Sequence, residues 1–198
     1  LFGEVEGAPP TAKPLMRSPI KRFGGKGMLA PRLIPLLPPK PWTVYVEPYF
    51  GGGSILFGLR PGEHSEIAND LDDSLVRFWR CLRDCAIDGR NRLIERLSAT
   101  PYSRSEFRRA KVVMADAKAH DDETVACAVF ATIRQSFAAM GGEWAAPRKD
   151  RPGGSAQTAW WNAIDGLDAA AERLRFNPPP AKIARGTTRP RCPTVLPG

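Results

Sequence analysis

Three consecutive glycines and a later aspartate have the types and spacing of a nucleotide-binding site. The β-branched and aromatic run 43–46 predicts a buried strand that ends at Pro48, and glycines 51–53 follow shortly after it. Glycines in such a turn let the backbone bend sharply and lie close to a ligand. Asp70 comes 17 positions after Gly53, at the end of a predicted second strand, where its carboxylate can accept hydrogen bonds from ribose hydroxyls.

Both features also have a purely structural explanation. A glycine turn forms without a ligand, and Ser54 predicts the N-cap of a following helix with the apolar residues Ile55, Leu56 and Leu59. Asp70 could instead be the N-cap of a second helix, which carries Leu75, Phe78, Trp79 and Leu82 at helical spacing. Asp72 or Asp73 suits that cap better, which leaves Asp70 available for a ligand.

Three motifs together resemble those of the Dam-like adenine-specific DNA methyltransferases. Glu47-Pro48-Tyr49-Phe50-Gly51-Gly52-Gly53-Ser54 is similar to the first cofactor motif of that family, and Asn69-Asp70-Leu71-Asp72 is similar to the motif that follows it. Phe23-Gly24-Gly25-Lys26 stands before the first strand, where the family has a related glycine-lysine motif. The resemblance extends from about Pro19 to Leu174, and three motifs in order are more specific than any one of them.

The resemblance implies an α/β fold, a partial Rossmann-like S-adenosylmethionine-dependent methyltransferase core with a helical insert. It implies S-adenosylmethionine as the cofactor and methyl transfer to the amino nitrogen of adenine in double-stranded DNA, after the adenine is flipped out of the duplex. Arg22 stands where many members have tryptophan, so the stacking ring expected at that position is absent, although the ring of Phe23 is adjacent. The residues that the resemblance assigns to the cofactor are Arg22, Phe23, Gly24, Gly25, Lys26, Glu47, Pro48, Tyr49, Gly51, Gly53 and Asp70.

Basic residues in the middle of the chain predict contacts with a polyanion. The formal net charge of +8 and the pI of about 9.7 favour nucleic acid, although a merely basic protein would have the same charge. A predicted helix carries several arginines, and a Pro- and Gly-containing loop places a tryptophan among basic residues. The alternative is that these cations are simply solvated. A loose resemblance to the DNA-contacting hairpin of the family completes the predicted DNA-binding set: Arg104, Arg108, Arg134, Trp144, Arg148, Lys149 and Arg151.

The sequence divides into five segments. Residues 1–18 are largely aperiodic and predict disorder, and residues 19–74 form the cofactor-binding part of the core. Helical spacing over 75–158 predicts a helical target-recognition insert, and 159–176 predicts a helix that returns to the core. Residues 177–198 show neither a helical nor a strand period and predict a disordered, out-of-frame tail. Such a partial sheet should expose apolar edges and lower the solubility.

The sequence lacks the catalytic Asp-Pro-Pro-Tyr motif, which family members carry after a further strand. The most similar sequence, Asn177-Pro178-Pro179-Pro180, comes only three residues after Leu174 and ends in proline, which cannot stack on adenine as tyrosine does. We interpret this sequence as a coincidence, so no catalytic residue is assigned, although Asn177 is noted as a candidate, and the chain is expected to be inactive.

Composition argues against several other classes of protein. No apolar run approaches the roughly 20 residues that cross a bilayer. No signal peptide is visible, and the four cysteines have no zinc-site spacing. We therefore expect a cytoplasmic monomer without a metal or a membrane partner. Two alternatives stay open: a non-catalytic DNA-binding remnant, and a nucleotide-cofactor oxidoreductase, whose Gly-x-Gly-x-x-Gly motif would require glycine in place of Leu56.

Overall fold

Strands and helices alternate along the chain. A computed structural model describes residues 13–62, 64–87, 89–147, 155–175 and 182–185. The strands are β1 Val44–Glu47, β2 Ser65–Asp70, β3 Ala86–Ile87, β4 Arg90–Asn91 and β5 Lys182–Arg185. The α-helices are α1 Ala30–Leu33, α2 Asp73–Asp84, α3 Arg92–Ser98, α4 Arg104–Ala115, α5 Asp122–Arg134, α6 Ala156–Asp165 and α7 Leu167–Arg175. Short 3-10 turns lie at Lys26–Met28, Ile34–Leu36, Leu56–Gly58, Ala117–Ala119 and Phe137–Ala139.

A parallel three-stranded sheet organises the molecule, in the order β1-β2-β5. Val46 of β1 lies opposite Ile67 of β2, and Asn69 of β2 lies opposite Ala184 of β5. Because the strands are parallel, the chain leaves β1 and β2 at the same edge of the sheet, which is where α/β proteins bind ligands. The parallel sheet and its packed helices confirm the predicted α/β fold.

The chain after the glycine turn is not the helix that the sequence predicted. Only the 3-10 turn Leu56–Gly58 forms, and Ser54 does not cap it. The carbonyl oxygens of Phe57 and Gly58 accept hydrogen bonds from the backbone N–H groups of Met16 and Leu15, both at 3.1 Å. These carbonyls are therefore occupied by the N-terminal segment, and Pro61 has no N–H with which to continue a helix. The same two hydrogen bonds correct the prediction that all of 1–18 is disordered, because they tie residues 15 and 16 to the core.

The middle of the chain is helical, as its apolar spacing predicted. Side chains at the positions before five helices accept hydrogen bonds from first-turn N–H groups, and these N-caps are Asp72, Asn91, Ser103, Asp121 and Ser155. Helix α5 packs against both α2 and α4. The helices of the predicted insert share one hydrophobic core with the sheet, which extends from Ile20 to Ile183.

The fifth strand corrects the prediction that all of 177–198 is disordered. Lys182–Arg185 pairs in parallel with β2, Ile183 is buried, and the Arg80 guanidinium donates a hydrogen bond of 3.0 Å to the Ile183 carbonyl. Four residues are too few to show a strand period, so the strand depends on its tertiary partner. The other residues of the segment, Asn177 included, lie outside the described residues.

A buried ion pair joins the last helix to the sheet. Arg173 of α7 donates two hydrogen bonds to the carboxylate of Glu66 on β2, at 2.7 and 2.8 Å, and a third to the carbonyl of Leu56 at 3.1 Å. Both side chains are almost fully buried. Arg173 is therefore an internal residue that sets the position of α7 against β2.

Candidate functional site

A cavity of about 560 Å³ lies at the edge of the sheet where β1 and β2 end. Three segments that are distant in sequence form its wall: the loop 22–26, the glycine turn 49–54 and the β2–α2 junction 70–72. The lining residues are Arg22, Phe23, Gly24, Gly25, Lys26, Tyr49, Phe50, Gly51, Gly52, Ser54, Asp70, Leu71 and Asp72. The structure thus brings together the three motifs that the sequence singled out.

Two of the glycines are required for different reasons. Gly51 has φ +54° and its missing side chain would meet nothing within 4 Å. Gly53 has φ +69°, and a Cβ there would lie 2.5 Å from the ring of Phe50 and 2.8 Å from that of Phe57. Gly51 therefore lets backbone face the cavity in the left-handed conformation, whereas Gly53 lets the turn sit directly on an aromatic cluster.

Asp70 stabilises the backbone conformation of the cavity wall. One carboxylate oxygen accepts a hydrogen bond of 2.6 Å from the backbone N–H of Gly51, and the other accepts one of 3.0 Å from that of Asp72. Asp72 is the N-cap of α2, because its carboxylate accepts from the N–H of Leu75. The prediction that Asp72 or Asp73, rather than Asp70, caps this helix is therefore confirmed, with Asp72 as the cap, and Asp70 lines the cavity.

Lys26 fastens the glycine-lysine loop to the end of β1. Its ammonium lies 2.5 Å from Glu47 Oε1 and donates a hydrogen bond of 2.8 Å to the Tyr49 carbonyl. Glu47 is only 4% exposed, and its other oxygen accepts a hydrogen bond from the Tyr45 hydroxyl. Burial raises the pKa of the Glu47 carboxyl, although the Lys26 ammonium opposes this shift. Glu47 therefore does not line the cavity but stabilises its wall through the ion pair with Lys26.

The predicted cofactor residues separate into a lining group and a supporting group. Arg22, Phe23, Gly24, Gly25, Lys26, Tyr49, Gly51 and Asp70 line the cavity. Glu47, Pro48 and Gly53 are not among the lining residues, and the Pro48 carbonyl instead accepts a hydrogen bond of 3.0 Å from the Asn69 side chain. The sequence did not assign Phe50, Gly52, Ser54, Leu71 or Asp72 to the cofactor, although all of them lie inside the quoted motifs.

The rim of the cavity combines one ion pair with three exposed apolar side chains. The Arg22 guanidinium lies 3.1 Å from Asp72 Oδ2, so it bridges the glycine-lysine loop and the N-terminus of α2. Phe23, Tyr49 and Leu71 are 74%, 75% and 62% exposed. Exposed rings and a branched aliphatic side chain around one cavity suit the faces of a flat, partly apolar ligand.

A second region lies where α5 ends in a short hairpin. Ser136 and Trp144 form an antiparallel bridge, the Phe137 N–H donates to the Glu143 carbonyl, and the Ala145 N–H donates to the Gln135 carbonyl, both at 2.8 Å. Lys111 of α4 donates a hydrogen bond of 2.9 Å to the Gly141 carbonyl. The hairpin is therefore fixed against α4.

The predicted DNA-binding residues of this region have different positions. Arg104 and Arg108 are exposed on α4, and the Arg104 guanidinium lies 5.2 Å from the centre of the Trp144 ring. Arg134 turns inward and donates to the Ala159 carbonyl, and burial lowers the pKa of its guanidinium, so it differs from the exposed contact that the sequence predicted. Trp144 is partly buried against Tyr102. Arg148, Lys149 and Arg151 lie outside the described residues.

Two negative observations apply to the described part of the chain. Within residues 13–62, 64–87, 89–147, 155–175 and 182–185, no three His, Cys, Asp or Glu residues come together in a way that could hold a metal ion. Over the same residues, no helix combines the length and apolarity needed to cross a membrane.

The fold and the cavity define the protein as an α/β domain with a cavity of ligand size at the carboxyl edge of its sheet. The chain belongs to the D12 class N6 adenine-specific DNA methyltransferase family, whose family model matches residues 23–132, more than half of the chain. It is also 34% identical over 64 residues to the Type II methyltransferase M1.LlaDCHI of Lactococcus lactis subsp. cremoris. That similarity covers 32% of this chain and 22% of the relative. Family membership favours the predicted methyltransferase over the oxidoreductase alternative.

Proposed function

We propose that the protein is an adenine-specific DNA methyltransferase, of which this chain supplies the binding site for S-adenosylmethionine and a DNA-binding surface. One observation carries the proposal: the loop 22–26, the glycine turn 49–54 and the β2–α2 junction 70–72 line the same cavity. All but Arg22 of the lining residues fall within the part of the chain that matches the methyltransferase family.

The size and the chemistry of the cavity fit this cofactor. Its volume of about 560 Å³ lies within the range of about 300–1,000 Å³ that is typical of small-molecule sites. The Asp70 carboxylate lines the cavity and is proposed to accept hydrogen bonds from ribose hydroxyls in addition to those from two backbone N–H groups. Phe23, Tyr49 and Leu71 would offer apolar surfaces to an adenine ring. When bound, S-adenosylmethionine supplies an electrophilic methyl group on a sulfonium.

The DNA-binding surface is proposed to comprise the exposed side of α4 and the neighbouring hairpin. Arg104 and Arg108 are exposed cations one helical turn apart, so both can contact phosphates along one backbone. The loop with Arg148, Lys149 and Arg151 follows the hairpin in sequence and is proposed to extend the same contact. An enzyme that modifies cellular DNA would act in the cytoplasm, and the monomeric state stays a prediction.

A non-catalytic DNA-binding role is the second candidate. It is favoured by one specific observation, namely that no Asp-Pro-Pro-Tyr text occurs in the 198 residues. In that case the cavity and the basic surface would still bind their ligands, and only methyl transfer would be missing.

Titration calorimetry with S-adenosylmethionine tests the proposed cofactor site. Replacement of Asp70 by alanine removes a charge-assisted hydrogen-bond acceptor and should weaken binding by about 1.5–3 kcal/mol. Glu172→Ala on the exposed side of α7 is the matched control, because it removes the same charge away from the cavity, and it should leave the affinity unchanged. Equal binding by the folded wild-type and Asp70→Ala proteins would refute the assignment of Asp70.

A further inference from the structure

A tryptophan on α2 that does not line the cavity contacts the glycine turn on the side facing the protein core. Trp79 lies on α2, its side chain is fully buried, and its indole N–H donates a hydrogen bond of 3.0 Å to the carbonyl oxygen of Gly51. The two residues are 28 positions apart. The sequence placed Trp79 only on the apolar face of a helix, because nothing in a helical pattern distinguishes a packing tryptophan from one that also donates a hydrogen bond.

The hydrogen bond from Trp79 completes a two-sided hold on Gly51. Asp70 accepts the N–H of Gly51 at 2.6 Å, and Trp79 donates to its C=O. These two groups belong to successive peptide planes, and the φ of +54° at Gly51 lies between them. Side chains from the end of β2 and from the middle of α2 therefore fix the orientation of both planes, at the residue where the backbone faces the cavity.

Neighbouring aromatic rings keep the indole in place. The Trp79 ring centre lies 5.3 Å from that of Phe50, 5.5 Å from that of Phe57 and 4.9 Å from that of Phe78. Phe50 and Phe57 also underlie Gly53, so the same cluster supports the turn along its length. The indole N–H is thus held in the direction of the Gly51 carbonyl by rigid neighbours.

We propose that Trp79 is a positioning residue for the cofactor site, which holds the Gly51 carbonyl in place and so preorganises the glycine turn. This inference rests on the proposed binding of S-adenosylmethionine. A preorganised turn loses little conformational freedom when a ligand binds, so loss of the indole N–H should weaken binding although Trp79 never touches the ligand. Loss of this hydrogen bond lets the ligand-free turn relax, and the affinity then falls by up to the net contribution of one neutral hydrogen bond, about 3- to 10-fold.

Trp79→Phe tests the inference, with Trp160→Phe as its matched control. Both tryptophans are fully buried on helices, but the indole N–H of Trp160 has no acceptor within the described part of the chain. The two substitutions therefore remove the same atoms from the core, and only the first removes a hydrogen bond to the turn. Two measurements are made at a temperature where all proteins are folded: hydrogen exchange of the turn amides in the ligand-free protein, and calorimetric affinity for S-adenosylmethionine.

The expected result is faster exchange at Gly51 and Gly53 and about a 3- to 10-fold weaker affinity in Trp79→Phe, with neither change in Trp160→Phe. Equal exchange at the turn in both variants, or an unchanged affinity in Trp79→Phe, would overturn the inference. If the wild-type protein does not bind S-adenosylmethionine, the proposed function fails, whereas the exchange comparison still decides whether Trp79 holds the turn.

A measurement on the wild-type protein covers the case in which Trp79→Phe does not fold. The indole N–H resonances of Trp79 and Trp160 are followed by NMR during a titration with S-adenosylmethionine. The Trp79 signal should shift on binding, because its acceptor lies in the cavity wall, and the Trp160 signal should not. A Trp79 signal that stays unchanged while the ligand binds would contradict the positioning role.

Discussion

The cavity differs in construction from the surface formed by α4 and the hairpin 136–145, which we call the helix–hairpin region. In the cavity, the polar side chains hold one another and the backbone: Asp70 binds two N–H groups, and Lys26 binds Glu47 and the Tyr49 carbonyl. In the helix–hairpin region, exposed cations such as Arg104 stand on a rigid helix, while Arg134 is turned into the protein. The structure of a site built on a backbone turn can be predicted from its local sequence motif. Which side chains are exposed on a helical surface depends instead on how the helices pack.

The glycines of the two regions show the same difference. A Cβ at Gly53 would collide with the rings of Phe50 and Phe57, and one at Gly52 would lie 2.8 Å from the Ile20 carbonyl oxygen. At Gly142 of the hairpin, a Cβ would meet nothing within 4 Å. Gly52 and Gly53 of the glycine turn are therefore fixed by packing, whereas Gly51 is required for its left-handed φ and Gly142 of the hairpin is not fixed by packing.

The largest expected effect separates binding from turnover. The chain should show no methyl transfer from labelled S-adenosylmethionine to adenine-containing duplex DNA, because neither region supplies an Asp-Pro-Pro-Tyr motif. Calorimetry on the same preparation should still show cofactor binding. Turnover by the purified 198-residue chain would contradict this prediction and would require an acceptor for the adenine amino group among residues already present.

Alanine substitutions at one glycine of each region come next in size. Gly53→Ala should lower the free energy of unfolding by about 2–5 kcal/mol, since it combines a steric clash with a left-handed φ. Gly142→Ala should change it by less than about 0.5 kcal/mol. Urea denaturation of both variants measures the difference, and equal losses of stability would show that the two turns are equally constrained.

The exposed arginines of the helix–hairpin region should contribute to DNA binding, whereas the inward-facing Arg134 should not. Arg104→Ala with Arg108→Ala should flatten the slope of log affinity against log salt by about 1–2, because each phosphate contact contributes about 0.9. Arg134→Met should leave the slope unchanged, since its guanidinium faces the Ala159 carbonyl. Fluorescence anisotropy with a short duplex measures these slopes.

The same titration separates α4 from the loop that follows the hairpin. The triple replacement of Arg148, Lys149 and Arg151 by alanine should also flatten the slope. If the triple variant keeps the wild-type slope, DNA is held by α4 alone. If the α4 variant keeps it instead, the contact belongs to the loop.

The smallest expected effect concerns the rim of the cavity. Asp72→Asn removes the ion pair with Arg22 but keeps a good N-cap for α2. A double-mutant cycle with Arg22→Met should give a coupling of at most about 1 kcal/mol for cofactor binding, because both side chains are partly exposed. The coupling should fade at high salt, and a larger coupling that is insensitive to salt would contradict a rim position.

Sequence patterns predicted those parts of the protein that depend on neighbours along the chain. The turn at 51–53, the cap at Asp72 and the helical segments follow from backbone requirements and apolar periodicity. The helix expected after Ser54 did not form, because distant N–H groups of Leu15 and Met16 occupy its carbonyls. β5 and the hydrogen bond of Trp79 also depend on distant partners, so no local pattern indicates them.

Hydrogen exchange measured with each ligand in turn tests most directly whether the two regions bind different partners. Addition of S-adenosylmethionine should slow exchange in residues 22–26, 49–54 and 70–72 and leave residues 104–111 and 136–145 unchanged. Addition of duplex DNA should slow exchange in 104–111 and 136–145. Protection by S-adenosylmethionine outside the cavity segments, or no protection within them at saturating ligand, would contradict the assignment of the cavity as the cofactor site.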